Sequence, residues 1–505
     1  MAIELDGFNL RIEDIVKVAR GEEPVALTDA ACEAVRSSRQ TLETIVEDPT
    51  RLIYGVNTGF GRLVSERISA AEIKQLQENL ILSHSAGVGP LLSPEVVRAA
   101  MLLRINSLAK GFSGVRLPLL NTLVEMLNKK VHPAVPSKGS LGASGDLAPL
   151  AHIAAVMLGK GRAVSNGEHL SGQAAMERAG IEPIRLESKE GLALINGTPV
   201  MCALLALAVA DSKHLLEISD VVGALSVFAL NGNPSAFAQS IQNARPHLGQ
   251  ISSAKNLRKL LTGVTAGTQQ GLQGPYSLRC IPQVHGAVRT ALNHATGVLE
   301  TEINSATDNP LVFPDKDEIL SGGNFHGEPI ALVTDYLKLA MAELGNISER
   351  RTNRLLHPDL NGDLPAFLVQ DAGLNSGYMI AQYTAASLAS ENKVLAHPSS
   401  VDSIPVSGDQ EDHVSMGTNA ALHLRNVVEN VGTILGVELL CGCQAKEYVD
   451  RPLPEALVDL YTRVREQIPA LKKDEEVYEH IEKATGLIWQ ESLIETVERS
   501  IGALD

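Results

Sequence analysis

The tripeptide Ala143-Ser144-Gly145 has the residue types that a backbone cyclisation requires. Gly145 lacks a Cβ atom, so its amide nitrogen can approach the carbonyl carbon of Ala143 at low steric cost and close a five-membered ring. Loss of one water from the ring, and of the Ser144 hydroxyl as a second water, leaves an exocyclic methylidene conjugated to an imidazolone. This group is a strong carbon electrophile, which no ordinary side chain supplies. The sequence therefore contains the components of an electrophile made from its own backbone.

The residues around this tripeptide favour a tightly folded loop. In the segment GSLGASGDLAP (139–149), Gly139 and Gly142 permit a sharply turned backbone, and Asp146 is placed to move protons during the two dehydrations. A helix predicted to begin near Pro149 would direct its positive end at the loop. The same residue types also suit an ordinary turn with a helix N-cap, or an anion-binding nest. The tripeptide alone does not separate these interpretations.

The composition is that of an acidic globular protein. The 505 residues include 43 Lys and Arg against 59 Asp and Glu, which gives a formal net charge of -16. A surface of this sign repels phosphate backbones and anionic lipids, so neither nucleic acid nor a membrane is expected as a partner. The acidic first residues lack the character of a signal peptide, and the most apolar run, 200–210, is too short to span a bilayer. We therefore expect a cytoplasmic protein.

No metal site is expected from the spacing of possible ligands. The five cysteines do not form a disulfide framework, and the Cys441-Gly442-Cys443 segment lacks a second pair. We interpret these cysteines as buried thiols. His326 and Glu328 lie two residues apart, but the sequence shows no third ligand at a suitable spacing.

Helical spacing of apolar residues dominates the chain after residue 200. Long helices are predicted over about 328–356 and 415–449, and helices this apolar must pack together, which predicts a mainly α fold built as a long-helix bundle. The first 110 residues instead alternate helical pieces, such as 73–82, with Gly-rich turns. We therefore divide the chain into an N-terminal region of short helices and loops, 1–110, and a helical bundle with a C-terminal cap, 111–505. The helical spacing is seen in Tyr336, Ala340, Leu344 and Ile347 and again in Leu424, Val428, Val431 and Leu435.

With its neighbouring residues, the segment GSLGASGDLAPLAH resembles the signature of the aromatic amino acid ammonia-lyases. Other segments resemble the same family in the same order: YGVNTGFG (54–61), NLILSHSAGVG (79–89), LINGT (194–198), QGPYSLRCIPQVHG (273–286), EINSATDNPLVF (302–313), GGNFHGEP (322–329) and QEDHVSM (410–416). The resemblance implies the helical fold of the ammonia-lyase and fumarase-like type. It also implies a 4-methylideneimidazol-5-one prosthetic group formed from Ala143-Ser144-Gly145, no external cofactor, and a homotetramer whose active sites are shared between subunits.

Two positions indicate the substrate within this family. Ser83-His84 occupies the place where phenylalanine enzymes carry Phe-Leu and tyrosine enzymes carry His-Leu, and Glu411 stands where both carry an amide. An imidazole and a carboxylate suit a polar, proton-bearing ring better than a phenyl ring. The resemblance therefore predicts the deamination of L-histidine to urocanate and ammonia. Gly274 and Ile281 depart from the Asp and Gln of many bacterial histidine enzymes, which bears on substrate affinity.

Other functions remain open from the sequence. The same prosthetic group would serve a tyrosine or phenylalanine ammonia-lyase, or a 2,3-aminomutase that returns the amine to Cβ. Fumarase-like lyases also form tetrameric helical bundles but use no Ala-Ser-Gly cofactor. A helical scaffold without activity is disfavoured, because every site residue of the family is present.

The resemblance also assigns roles to the remaining site residues. Tyr54 is the candidate base for the β-proton, and a tyrosine needs nearby positive charge or hydrogen bonds to act near neutral pH. Gln273, Tyr276 and Arg279 recur every three residues, which places them along one side of a helical turn, where the Arg279 fork suits a carboxylate. Tyr276 would lie near the prosthetic group, Asn196 and Gln273 would hydrogen-bond around it, and Phe325 would form a wall of the pocket.

Overall fold

The computed structural model describes residues 2–48, 51–59, 61–63, 68–69, 72–165, 167–265 and 273–505. Helices make up most of these residues, as the apolar spacing predicts. The helices are α1 (Ile12–Arg20), α2 (Asp29–Val46), α3 (Ile73–His84), α4 (Pro94–Ala109), α5 (Leu117–Asn128), α6 (Leu147–Met157), α7 (Gly172–Arg178), α8 (Glu190–Ile195), α9 (Pro199–Ala229), α10 (Gln239–Ala244), α11 (Leu248–Leu260), α12 (Tyr276–Arg279), α13 (Ile281–Glu302), α14 (Glu328–Leu356), α15 (Met379–Leu395), α16 (Gly417–Lys446), α17 (Glu455–Gln467), α18 (Val477–Ile488) and α19 (Glu491–Ile501).

Short strands form four small sheets. The strands are β1 (Ile3–Leu5), β2 (Val25–Leu27), β3 (Val88–Leu91), β4 (His132–Pro133), β5 (Pro136–Lys138), β6 (Arg162–Ser165), β7 (Glu168–Ser171), β8 (Leu311–Phe313) and β9 (Glu318–Leu320). β1 pairs in parallel with β2, with Ile3 opposite Val25, while β3–β5, β4–β6–β7 and β8–β9 are antiparallel. The β3–β5 pair matters for function because β5 leads directly into the Gly139–Asp146 loop.

The chain forms two compact units, each assembled from segments that are distant in sequence. The first unit contains Met1–Ala210, Ala295–Asp335 and Pro398–Leu422, and the second contains Asp211–His294, Tyr336–His397 and His423–Asp505. The boundary drawn from the sequence at residue 110 falls at the end of α4, inside the first unit. The division of the chain at this residue stays a prediction. The sequence pattern did not indicate that residues 295–335 and 398–422 belong to the same compact unit as the N-terminal half.

Helix α4 lies at the centre of the first unit. Every residue from Val96 to Ala109 is buried, and the helix packs against α1, α2 and α5. Pro94 lies in its first turn, where its missing N–H costs no hydrogen bond. Two of the buried residues are arginines, Arg98 and Arg104, and their guanidinium groups must therefore find hydrogen-bond acceptors inside the protein.

Two helices of the fold are both long and apolar, and the first of them contains the apolar run 200–210. α9 and α16 are each long and apolar enough to cross a membrane by length and composition, and 78% of the most apolar window of each is buried inside the protein. The apolar run 200–210 forms the first part of α9, which continues through Asp211 to Ala229, and Asp211 forms an ion pair with Arg425 at 2.7 Å. Their burial identifies both as core helices of this fold.

The long helices of the second unit enclose a buried ion pair. Arg351 Nε donates to Glu438 Oε1 at 2.5 Å and its Nη2 donates to Oε2 at 2.8 Å, while the hydroxyls of Ser226 and Ser348 each donate to one carboxylate oxygen at 2.6 Å. Both charged side chains are fully buried. The carboxylate thus has four donors and one compensating cation.

We expect Arg351→Met to lower the free energy of unfolding by about 3–5 kcal/mol, because Glu438 would stay buried without a cation. The neighbouring Arg350 has a 59% exposed side chain and pairs with Glu349. Arg350→Met is therefore the control, with an expected change within about 0.5 kcal/mol. Urea unfolding followed by circular dichroism measures both, and equal losses in the two variants would contradict the assignment.

Candidate active site

The Gly139–Asp146 loop is held against a second segment, Asn196–Gly197, by main-chain hydrogen bonds. The Asp146 N–H donates to the Gly197 carbonyl at 2.7 Å, and the Gly197 N–H donates to the Ser144 carbonyl at 3.3 Å. Gly145 lies opposite Gly197 as in a parallel strand pair. It has φ +73°, and a Cβ atom there would lie 1.9 Å from the Gly197 oxygen. Only glycine fits this position.

Ala143 and Ser144 face different surroundings. Ala143 is buried in an apolar cluster with Val414 and Met416. The Ser144 hydroxyl donates to Glu411 Oε1 at 3.3 Å. The side chain of Asn196 donates from Nδ2 to the Ser144 carbonyl at 3.3 Å, and its buried Oδ1 has no hydrogen-bond partner among the described residues. The hydroxyl that a dehydration would remove thus faces the Glu411 carboxylate, while the Ser144 carbonyl faces the Asn196 amide.

Asp146 anchors the loop to the start of α9. Its Oδ2 accepts the N–H groups of Val200 and Met201, both at 2.9 Å, and its Oδ1 accepts the hydroxyls of Ser140 at 3.0 Å and Thr418 at 2.5 Å. Burial raises the pKa of this carboxyl, and the four donors oppose that rise. The predicted helix after the loop begins at Leu147, two residues before Pro149, and the Asp146 side chain does not cap it.

Tyr54 lies in the Gly-rich loop before α3, and Phe60 of the same motif lies outside the described residues. The Gly61 N–H donates to Tyr54 Oη at 3.3 Å. Burial raises the pKa of Tyr54, the hydrogen bond from Gly61 lowers it, and the nearby Glu411 raises it. Of the two aids expected for a tyrosine base, the structure shows a hydrogen bond, from Gly61, and burial opposes its effect on the pKa.

The last turn of α3 places hydrogen-bonding groups beside the His84 ring. The Ser83 hydroxyl lies 3.1 Å from His84 Nδ1 and 3.1 Å from the Leu80 carbonyl, to which it donates. This arrangement favours the neutral tautomer with the ring proton on Nδ1, from which the hydroxyl can accept. Burial lowers the pKa of His84, and a hydrogen bond to the Leu80 carbonyl opposes the change, so the neutral ring is favoured. Nε2 is left as a hydrogen-bond acceptor.

Two cavities of the first unit meet at these residues. The first has a volume of about 400 Å³, and its walls include Ser83, His84 and the apolar side chains of Leu76, Leu80, Leu192 and Ile195. The second has a volume of about 360 Å³, and its walls include Phe325 and His326. Tyr54, Ser144, Asn196 and Glu411 line both. The structure therefore brings together every predicted site residue of the first unit around the Ser144 hydroxyl. Glu411 does not cap a helix, and burial raises its pKa while the Ser144 hydroxyl lowers it.

The other three predicted residues belong to the second unit. Gln273, Tyr276 and Arg279 line a cavity of about 790 Å³ in that unit. Tyr276 and Arg279 occupy one turn, α12, and the guanidinium lies 4.7 Å from the centre of the tyrosine ring. Tyr276 is 72% exposed, and Arg279 Nε is buried without a hydrogen bond to any described residue. The three residues therefore face one cavity, although Gln273 precedes the helical turn that carries the other two.

A third possible metal ligand joins the pair noted in the sequence. His413 lies near His326 and Glu328, with one ligand atom of each within 4.8 Å of the others. The sequence could not show this, because His413 is distant along the chain. His326 already accepts from the Glu328 N–H at Nδ1 and contacts the His413 carbonyl at Nε2, so neither ring nitrogen is free to bind a metal.

Sequence reasoning missed the residues that support the loop from far along the chain. Thr418 lies 272 residues from Asp146 yet makes the shortest of its hydrogen bonds. The Ser415 hydroxyl donates to the Gly142 carbonyl at 3.1 Å. Neither residue has a local pattern that distinguishes it from a surface hydroxyl. The QEDHVSM segment, which ends one residue after Ser415, was the only available signal.

Comparison with known proteins identifies the family. A family model described as aromatic amino acid lyase matches residues 10–468, and the chain belongs to this family of carbon–nitrogen lyases. It is 55% identical over 480 residues to a histidine ammonia-lyase of Caldanaerobacter subterraneus subsp. tengcongensis, with 94% of each chain covered. The predicted family is confirmed.

Solved structures confirm the mainly α fold. The histidine ammonia-lyase from Trypanosoma cruzi superposes with a TM-score of 0.93 at 41% identity, covering 99% of this chain and 96% of that chain. A tyrosine aminomutase from Streptomyces globisporus superposes with a TM-score of 0.96 at 38% identity, covering 100% of both. The fold is therefore shared by lyases and aminomutases, and the substrate must be argued from the site.

We expect Asp146→Ala to lower the free energy of unfolding by at least about 2 kcal/mol, because two buried N–H groups of α9 would lose their acceptor. Asp146→Asn is the matched control, since its amide oxygen can still accept from Val200 and Met201 while its NH₂ group faces two hydroxyls. The free energy of unfolding should fall clearly less in Asp146→Asn than in Asp146→Ala. Denaturant unfolding of both variants measures this, and the anchor role is wrong if the two lose equal stability.

Proposed function

We propose that the protein catalyses the non-oxidative deamination of L-histidine to urocanate and ammonia. The observation that carries this proposal is the meeting of His84, Glu411 and Ser144 in the walls of one cavity. The kinship with histidine ammonia-lyases supports it. We also propose that the protein works in the cytoplasm, as its acidic composition favours.

The tripeptide Ala143-Ser144-Gly145 is proposed to form the 4-methylideneimidazol-5-one prosthetic group, with no external cofactor. Three observations fit the group: the glycine-only position of Gly145, the apolar packing of Ala143, and the unpartnered buried Oδ1 of Asn196. When formed, the group supplies the carbon electrophile that an elimination from a non-acidic β-carbon needs. Asn196 would hold its carbonyl oxygen, which is that of Ser144.

His84 and Glu411 are proposed to select the substrate ring. His84 Nε2 accepts an imidazole N–H, and Glu411, whose pKa is raised by burial, pairs with the other polar edge as donor or acceptor. A phenyl ring would leave both groups desolvated without a partner, at a cost of about 1–3 kcal/mol each. Phe325 forms an apolar wall of the adjoining cavity.

Tyr54 is proposed to take the β-proton, and a second subunit is proposed to complete the site. Burial and Glu411 raise the pKa of Tyr54 and the hydrogen bond from Gly61 lowers it, and a cation at the completed site would favour the ionised form further. Arg279 has a buried Nε without a partner and suits both this task and the binding of the substrate carboxylate, with Tyr276 and Gln273 beside it.

A homotetramer would bring Arg279, Tyr276 and Gln273 to Tyr54. Self-association is supported by large apolar side chains that are about half exposed on one face of α14, namely Leu332, Tyr336 and Leu339. Within the predicted stripe on this helix, Leu344 and Ile347 are buried, while Tyr336 is exposed. A stripe that a single chain leaves partly uncovered is typical of an interface between copies.

An aminomutase acting on tyrosine or phenylalanine is the second candidate, favoured by the TM-score of 0.96 with the tyrosine aminomutase. The product distinguishes it, because a mutase yields a β-amino acid and a lyase yields urocanate and free ammonia.

We expect Ser144→Ala to fold normally and to lose activity by several orders of magnitude, because alanine has no hydroxyl to eliminate. Ser137→Ala is the control from the preceding strand β5. Urocanate formation and intact subunit mass measure both variants. The prosthetic-group proposal fails if Ser144→Ala keeps near-normal turnover, or if the wild-type subunit shows no mass deficit of two water molecules.

We expect His84→Gln to keep more histidine turnover than His84→Asn. The amide oxygen of glutamine can take the place of Nε2, whereas that of asparagine reaches only the place of Nδ1. The ratio of kcat/KM should be roughly 5- to 150-fold, which corresponds to one unsatisfied group at about 1–3 kcal/mol. Ser85→Ala is the control, because its hydroxyl makes a similar bond, to Ile81, without contacting His84.

Steady-state rates on histidine, tyrosine and phenylalanine decide the substrate. Wild-type protein that prefers tyrosine or phenylalanine, or His84→Asn that matches His84→Gln, would refute the proposed recognition.

A further inference from the structure

Arg104 is a buried arginine on α4 that lines neither cavity at Ser144. Its side chain is 1% exposed. Nη1 donates to the Asn196 carbonyl at 2.8 Å and to the Thr307 carbonyl at 3.2 Å, while Nε and Nη2 have no partner among the described residues. One guanidinium nitrogen thus joins two backbone segments that are more than a hundred residues apart.

The contact is made at the segment that holds the tripeptide loop. A Cβ atom on Gly197 would lie 2.6 Å from Arg104 Nη1 and 2.1 Å from the Thr307 carbonyl oxygen. Arg104 and Thr307 therefore pack directly against the backbone of Gly197. Through this contact and its bond to the Asn196 carbonyl, Arg104 supports Asn196–Gly197.

Asn196–Gly197 in turn fixes the peptide group that must react. Asn196 Nδ2 and the Gly197 N–H both donate to the Ser144 carbonyl, and Gly197 accepts from the Asp146 N–H. The Ser144 carbonyl and the Gly145 nitrogen belong to one planar peptide unit. Holding that oxygen therefore directs the Gly145 nitrogen, which has to reach the Ala143 carbonyl carbon.

The charge of Arg104 is sustained by a buried neighbour. Asp308 opposes the effect of burial, which lowers the pKa of Arg104 to about 10, so the guanidinium stays charged at neutral pH. Asp308 is itself paired with the fully buried Lys189 at 2.7 Å. Hydrogen bonds from a charged donor are shorter and stronger than neutral ones, which suits Arg104 to hold a carbonyl in place.

We propose that Arg104 is a positioning residue for the cyclisation of Ala143-Ser144-Gly145, which it promotes by holding Asn196–Gly197 against the loop. This inference rests on the proposed prosthetic group. In the reaction a bond forms between the Gly145 nitrogen and the Ala143 carbonyl carbon. The Ala143 oxygen leaves as water with the hydrogens of the Gly145 and Ser144 nitrogens. The Ser144 hydroxyl leaves as a second water with the Ser144 α-hydrogen, so no oxidant or reductant is needed.

Arg98 provides a matched control on the same helix. It is 2% exposed and donates to two backbone carbonyls, those of Val18 at 2.9 Å and Leu127 at 3.2 Å. Arg98→Lys therefore removes the carbonyl contacts of a comparably buried guanidinium without touching Asn196–Gly197. Arg104→Lys keeps the charge, but the lysine side chain ends one bond short of the position of Nη1, and Arg104→Gln is a second variant that avoids an unpaired buried charge.

The experiment follows the intact subunit mass over time after cell-free synthesis of the full chain. Each variant is also assessed for fold by circular dichroism and thermal unfolding. We expect the wild type and Arg98→Lys to lose two water molecules at similar rates. Folded Arg104→Lys and Arg104→Gln should lose them about tenfold more slowly or more.

Equal rates in folded Arg104 and Arg98 variants would overturn the inference. It is also overturned if both Arg104 variants fail to fold while Arg98→Lys folds, since Arg104 would then serve the fold as a whole. A wild-type chain that never loses two water molecules would instead refute the prosthetic group itself. The two failures are therefore distinguishable.

Discussion

The close approach of Gly145 to Gly197 is the constraint on which the site depends. A Cβ atom at Gly145 would lie 1.9 Å from the Gly197 oxygen, so the two backbones touch with no side chain between them. This contact orients the Ser144 carbonyl, exposes the Ser144 hydroxyl to the cavities and places the Asp146 carboxylate at the start of α9. Residues from four distant parts of the first unit, including Arg104 and Thr418, support it.

Burial sets the electrostatic character of the site. It raises the pKa of Tyr54, Glu411 and Asp146 and lowers that of His84, so the neutral form of each group is favoured relative to the same group in water. A site built this way is suited to hydrogen-bond recognition of a polar ring. For Tyr54, the hydrogen bond from Gly61 opposes the effects of burial and of Glu411, and a nearby cation would favour the ionised form further.

Arginine recurs as the residue that organises buried backbone and carboxylates in this protein. Arg104 joins two carbonyls behind the loop, Arg98 joins two carbonyls earlier on the same helix, and Arg351 neutralises Glu438 in the second unit. Each guanidinium donates hydrogen bonds to acceptors that are buried in the protein. Long apolar helices can tolerate such residues only because these acceptors come from other segments.

The sequence by itself determined the long helices, the family and the tripeptide, because helical spacing and short motifs are local properties. Helix α14 was predicted with the bounds it has, and Gly145 was singled out for its missing Cβ. The full length of α9 did not follow from its apolar run, since the helix continues beyond Asp211, which pairs with Arg425. Only the tertiary structure placed Thr418, Arg104 and Gly197 around the loop, because contacts between residues so far apart in sequence leave no local pattern.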